Sequence, residues 1–101
     1  REESGLALSS RNKYLTEKGK EDALALSKIL FNIKMCYNKG IKDVKALTET
    51  AYGFLNDNHT LEYLEFRDQN TLEEKKTADS DTIVFIAARV ENVRLIDNIA
   101  L

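Results

Sequence analysis

TIVFIAARVENVRLIDNIAL, residues 82–101, decides the fold. Its first nine residues, Thr82 to Val90, are rich in β-branched side chains and almost continuously apolar, the pattern of a strand at the centre of a sheet. Glu91 and Asn92 separate this run from a second one, Val93 to Leu101. Two turn residues between two apolar runs predict a tight antiparallel hairpin, with Asn92 able to accept the positive φ that such turns demand.

Upstream of the hairpin, LEYLEFRD (61–68) sets Glu62, Leu64 and Phe66 against Tyr63, Glu65 and Arg67, roughly the period-two pattern of a half-exposed strand. The polar QNTLEEKKTADSD (69–81) joins it to the hairpin, and LEEKKTADSD within it reads as a solvated loop. Further upstream the period changes to that of a helix. Ala23, Leu26, Leu30, Ile33 and Tyr37 form one stripe, widened by Ile29, with Leu24 and Phe31 on the other side. Thr16 stands as N-cap and Gly40 where a left-handed C-terminal residue is wanted, while Gly19 weakens the first turn by about 1 kcal/mol relative to alanine. A second helix is expected from Asp43 to Leu55, with Val44, Leu47, Ala51, Phe54 and Leu55 inward and NDNH (56–59) ending it. The short NKGIKD link makes the helices neighbours. The expectation is an α+β fold: one domain, 1–101, with two main helices packed on a roughly three-stranded antiparallel sheet.

Composition narrows the function classes. The 101 residues carry a net charge of −2 with the two signs interspersed, which provides no electrostatic footprint for nucleic acid. Any anion site must therefore be local. The single cysteine, Cys36, excludes an internal disulfide framework and fits a reducing compartment, so a cytoplasmic location is expected. No stretch approaches the apolar length of a membrane span, and REESGLAL at the start is not a signal peptide. With no initiator methionine, the chain reads as a piece of something longer.

Nucleophilic and metal chemistry find little here. Cys36 lies near the buried stripe of the first helix and reads as a small core residue. His59 is the only histidine, at a helix-to-strand link, and reads as a surface residue or a cap. No metal ligand set is expected. GLALSSRNKYL (5–15) differs: Ser9 and Ser10 offer hydroxyls, Arg11 a permanent planar cation, and Asn12 an amide. If the backbone turns helical there, free N–H groups point out beside them, an arrangement that attracts anions. Serine before a short helix is equally a common N-cap. Spacing alone leaves both readings open.

The wording of three segments is more specific than their chemistry. REESGLALSSRNKYLT at the start, LEYLEFRDQNTLE in the middle and AARVENVRLIDNIAL at the end resemble, in order, segments of the pantoate–β-alanine ligase (pantothenate synthetase) family. Its C-terminal domain opens on Arg-Glu-x-x-Gly-Leu-Ala-Met-Ser-Ser-Arg-Asn and closes on a hairpin carrying Arg-Leu-Ile-Asp-Asn, here Arg94 to Asn98. Ser4 stands where the family most often has aspartate and Leu8 where it often has methionine; Glu91-Asn92 replaces a glycine-rich turn.

The resemblance implies the C-terminal lid domain of a larger ligase whose N-terminal Rossmann-type domain holds the small-substrate pockets. Such an enzyme adenylates pantoate with ATP, releases pyrophosphate, then joins β-alanine with release of AMP, with Mg2+ accompanying the nucleotide. It acts as a homodimer at full length, touching neither nucleic acid nor membrane. On this resemblance Ser9-Ser10-Arg11 is the counterpart of the Lys-Met-Ser-Lys-Ser loop of class I aminoacyl-tRNA synthetases. Ser9 and Ser10 would bind phosphate oxygens, Arg11 would be the catalytic cation on the leaving pyrophosphate, and Leu8 would lie toward adenine or ribose. Asn12 would brace the loop, and Arg94 and Asp97 would form a hairpin ion pair or a cap. The fragment alone is expected to be inactive. The rival readings are a stand-alone protein-interaction module and a phosphate-binding module of another ligase or transferase.

Overall fold

Thr16 holds the chain extended (φ −71°, ψ 172°) and accepts the Gly19 N–H on its hydroxyl at 3.0 Å, so helix α1 starts at Glu17. In this computed structural model, which describes residues 1–101, α1 runs Glu17–Asn38 and ends where Gly40 takes φ 107°. Its expected stripe is the buried one: Ala23, Leu26, Ile29, Leu30 and Ile33 are almost wholly covered, with Tyr37 packed at the margin. Asp43 caps α2 (Val44–Ala51) by accepting the Ala46 N–H. This α-helix stops short of the expected Leu55, because Tyr52–Phe54 tighten into a 3-10 turn, a common way for a last turn to close.

The sheet is antiparallel, in the order β1-β2-β3, with β1 at His59–Asp68, β2 at Thr82–Val90 and β3 at Val93–Ala100. The apolar β2 is central, as its composition predicts. Glu91 and Asn92 both sit at positive φ (51° and 65°), which matches the twist of the strands they join. Helix α1 lies across β2 and β3 on one face of the sheet, and α2 packs beside α1 with Leu47 and Ala51 in the same core. The core is the layer between the helices and the sheet, where Leu47, Val84, Ile86 and Val90 are fully buried. No helix is long and apolar enough to cross a membrane.

Two expectations are corrected here. First, β1 starts two residues early, at His59, and carries a bulge between Leu61 and Tyr63. The extra residue reverses the alternation at that point: Leu61 joins Leu64 and Phe66 against the core, and Glu62 is expelled to the outer face. Second, the 69–81 connection is more than a solvated loop. Ala78 is buried, and its N–H donates to the Lys42 carbonyl while Val44 N–H donates to that of Lys76, tying the loop to the start of α2. Lys75 bridges Asp68 at 3.4 Å and Asp79 at 2.5 Å. These backbone pairings depend on α2 being docked nearby, which no local pattern announces.

Candidate functional site

The opening loop is held by contacts along its length. Gly5 adopts φ 96° in a tight turn, its N–H donating to the Glu2 carbonyl, so it serves a fixed bend rather than loose motion. Ser9 is extended and its Oγ accepts the Arg11 N–H at 3.1 Å, capping a 3-10 helix at Ser10–Tyr14. Ser10 and Arg11 are exposed, and Leu8 is 72% exposed. Asn12 points inward: its Nδ2 donates to Glu2 Oε2 at 2.7 Å and to the Ala7 carbonyl at 3.0 Å, while its Oδ1 is buried without a partner. It is thus a brace of the loop, as expected.

Folding brings this loop against β3. Leu6 to Ser9, Arg11 and Asn12 on one side, Ala23 and Leu26 of α1 below, and Arg94 to Asp97 on the other enclose a cleft of about 320 Å³. Arg11 Nη1 reaches the Arg94 carbonyl across it, at 3.4 Å. All four residues proposed from sequence are at the cleft or its edge: Leu8, Ser9 and Arg11 line it, and Ser10 sits between the last two on the exposed side.

Arg94 and Asp97 do not pair with each other. An odd spacing along a strand sends them to opposite faces of the sheet. Asp97 takes the inner side and accepts a bidentate pair from Arg1, at 2.6 and 3.0 Å, on a carboxylate that is 8% exposed. Arg1 also lies 5.0 Å from the Phe31 ring and donates to the Gly5 carbonyl, so it pins both ends of the opening turn. Arg94 takes the outer side, where its Nε meets Glu62 Oε1 at 2.6 Å; Arg89 Nε meets Glu62 Oε2 at 2.9 Å. Arg94, more than Arg89, holds the Glu62 carboxyl below the ordinary carboxylate range, and Glu62 in turn pushes the Arg94 guanidinium up.

A further anchor lies beyond the loop. Thr16 donates both its N–H (2.9 Å) and its hydroxyl (2.6 Å) to the carboxylate of Glu91 in the hairpin turn. The hydroxyl contact, then the amide, hold Glu91 below its usual range. Gly19 has its reason here, since a Cβ at that position would come within 2.0 Å of Glu91 Oε1.

Sequence reading assigned no role to Arg1 or Glu2, and took Glu91 only as a turn residue and Glu62 only as part of a strand. The Arg-Glu at the head of REESGLALSSRNKYLT is the signal for the first two; Glu62 is disguised by the bulge. His59 proves to be a brace: Asn56 N–H donates to its Nδ1 at 3.0 Å, so Nε2 carries the proton and donates to the Asp22 carbonyl at 2.6 Å. Cys36 is half-buried against the core.

The cleft therefore joins the SSRN segment of the opening loop to the RLID segment of the closing hairpin, more than eighty residues apart in the chain. The family model for pantoate-beta-alanine ligase matches residues 1–100. The chain belongs to the pantoate-beta-alanine ligase family. It is 40% identical over 103 residues to the pantothenate synthetase of Pelobacter propionicus and 38% identical over 103 residues to that of Geotalea uraniireducens. In both cases all of the chain is matched, yet it spans only 36% of the relative's length. Among solved structures, pantothenate synthetase from Thermus thermophilus superimposes with a TM-score of 0.87 at 30% identity, covering 99% of this chain and 37% of that one. The ligase from Francisella tularensis, solved in complex with β-γ ATP and β-alanine, gives a TM-score of 0.56 at 28% identity, covering 99% and 30%.

Proposed function

We propose that residues 1–101 form the C-terminal ATP-lid domain of a two-domain ligase. That enzyme condenses pantoate with β-alanine through a pantoyl adenylate, releasing pyrophosphate and then AMP. The observation that carries this reading is the cleft in which the SSRN loop and the RLID strand of the same family meet, with Arg11 at its rim. The ATP and β-alanine held by the Francisella relative agree with it.

The chemistry of adenylation assigns the roles. As the pantoate carboxylate attacks the α-phosphorus, negative charge grows on the departing β- and γ-phosphates. Arg11, exposed beside Ser9 and Ser10, supplies charge-assisted bonds to those oxygens, and the two serines supply hydroxyl and backbone donors. In the structure the Ser9 hydroxyl is an acceptor for Arg11 N–H, so it caps the turn and still has its own proton to donate. Leu8 lies toward the adenine or ribose. Mounting these donors on a separate domain lets the site open for exchange and close over an adenylate that water would otherwise hydrolyse.

The remaining parts belong to the rest of the enzyme: an N-terminal Rossmann-type domain with the pantoate and β-alanine pockets, and a homodimeric assembly in the cytoplasm. Mg2+ enters with the phosphates of the nucleotide. Asp97, the carboxylate in the cleft, is already committed to Arg1.

The test is Arg11→Ala in the full-length enzyme, with pyrophosphate release followed in a single turnover. The adenylation rate should fall by about 10²–10³ while pantoate affinity is unchanged. A loss confined to pantoate binding would overturn the role given to Arg11, and turnover by residues 1–101 alone would overturn the lid reading.

A further inference from the structure

We propose that Arg89 and Arg94, together with Arg11, form a second anion site on the outer face of the hairpin that binds inorganic pyrophosphate. The site is a shallow cleft of about 470 Å³ lined by Arg11, Tyr14, Arg89, Asn92, Val93 and Arg94. It adjoins the first cleft through Arg11 and Arg94, which line both.

Three observations converge on it. Arg89 and Arg94 stand directly opposite each other in the β2-β3 register. Like charges so placed repel unless a counter-charge joins them. The bulge in β1 then delivers Glu62 between them, where one carboxylate accepts the Nε of both, at 2.9 and 2.6 Å. A single carboxylate orients two guanidiniums and balances only one of them. Counting Arg11, the cleft keeps an excess of two positive charges in a chain whose net charge is −2.

The geometry also leaves room for a ligand. Glu62 takes only the Nε of each arginine, and Tyr63 stands beside Arg94, so the terminal nitrogens of Arg89 and part of those of Arg94 remain for other acceptors. Both side chains stay accessible, 48% exposed for Arg89 and 39% for Arg94. Planar guanidinium forks match the paired oxygens of a phosphate group, and several held at one place favour a ligand with more than one phosphate. Tyr14, Asn92 and Val93 complete the wall. Inorganic pyrophosphate fits this chemistry, and the shared Arg11 would let it pass outward from the first cleft after adenylation. That physiological occupant rests on the lid reading; the anion site itself does not.

The experiment uses the 101-residue chain, labelled with ¹⁵N and titrated with pyrophosphate at fixed ionic strength, with orthophosphate and sulfate as controls. Saturable shifts are expected at Arg89, Asn92, Val93 and Arg94, tighter for pyrophosphate than for either control. Arg89→Gln and Arg94→Gln, both at accessible positions, should each weaken binding by about tenfold or more, with thermal melts that still show one cooperative transition. Shifts confined to Ser9–Asn12, equal responses to all three anions, or wild-type affinity in both variants would overturn the site. The two readings separate cleanly. Failure here leaves the adenylation test of Arg11 standing, and a saturable site at Arg89 and Arg94 would survive a negative result there.

Discussion

Asn12 offers the sharpest test of how the loop is held. The side chain is 6% exposed, and its amide donates to Glu2 Oε2 at 2.7 Å and to the Ala7 carbonyl at 3.0 Å. Replacing it by alanine deletes one charge-assisted bond, worth about 1.5–3 kcal/mol, and one neutral bond of about 1 kcal/mol. Part of that loss is recovered, because the buried Oδ1 without a partner disappears as well. Its removal returns about 1–2 kcal/mol of desolvation. The net cost should be about 2 kcal/mol, a fall in Tm of about 8–16 °C for a domain of this size. Asn12→Asp keeps the shape but faces the Glu2 carboxylate with a second one, so it should cost more than alanine. Relative to wild type, the aspartate penalty should shrink as pH falls, because two facing carboxylates favour taking up a shared proton. Thermal melts of the three chains from pH 7 to pH 3.5 test this, with amide exchange at Ser10–Leu15 to localise the effect. An Asn12→Asp chain as stable as wild type, or one whose deficit ignores pH, would refute the bracing role.

Gly19→Ala should give none of the roughly 1 kcal/mol that helix propensity promises, because the new methyl displaces Glu91 from Thr16; in a Glu91→Ala background the gain should reappear in urea titrations. Acid should unfold the chain through Glu62, Asp68, Asp79 and Glu91, whose carboxyls are all held below their ordinary values by hydrogen bonds and cations. Their stabilisation is complete above the unfolded values of 3.8 for Asp and 4.5 for Glu, and is lost as pH falls through the lower folded ones. Tm should therefore be level near neutrality and drop below about pH 4.5, and a flat profile down to pH 3 would contradict the assigned bonds. Leu47→Ala, at a fully buried position between the helices and sheet, should cost about 2–5 kcal/mol by denaturant titration; a loss under 1 kcal/mol would mean that α2 is not docked as described.

Periodicity was enough for most elements because it follows from local geometry. The α1 stripe, the cap at Thr16, the central β2 and the two-residue turn all depend on residues close together in sequence. Failures occurred where a distant segment decided. Glu62 sits in an alternating pattern that assigns it to the core face, and only the ladder with β2 shows the bulge that turns it outward. Arg94 and Asp97 look like partners three residues apart, yet strand geometry divides them between faces and gives each a partner from elsewhere, Glu62 and Arg1.

The candidate site divides along the same line. Sequence by itself determined the loop's chemistry, two hydroxyls and a cation after a small apolar run, and a wording specific enough to indicate the family. It left the cap and the anion site as competing readings. The tertiary structure shows the cap made, by Ser9 on Arg11, and sets the same residues at a cleft whose far wall is β3. A cap needs only the next two residues, so local sequence can specify it. A cleft needs two segments more than eighty residues apart to be held at a fixed separation, and only the packed core between α1 and the sheet can do that.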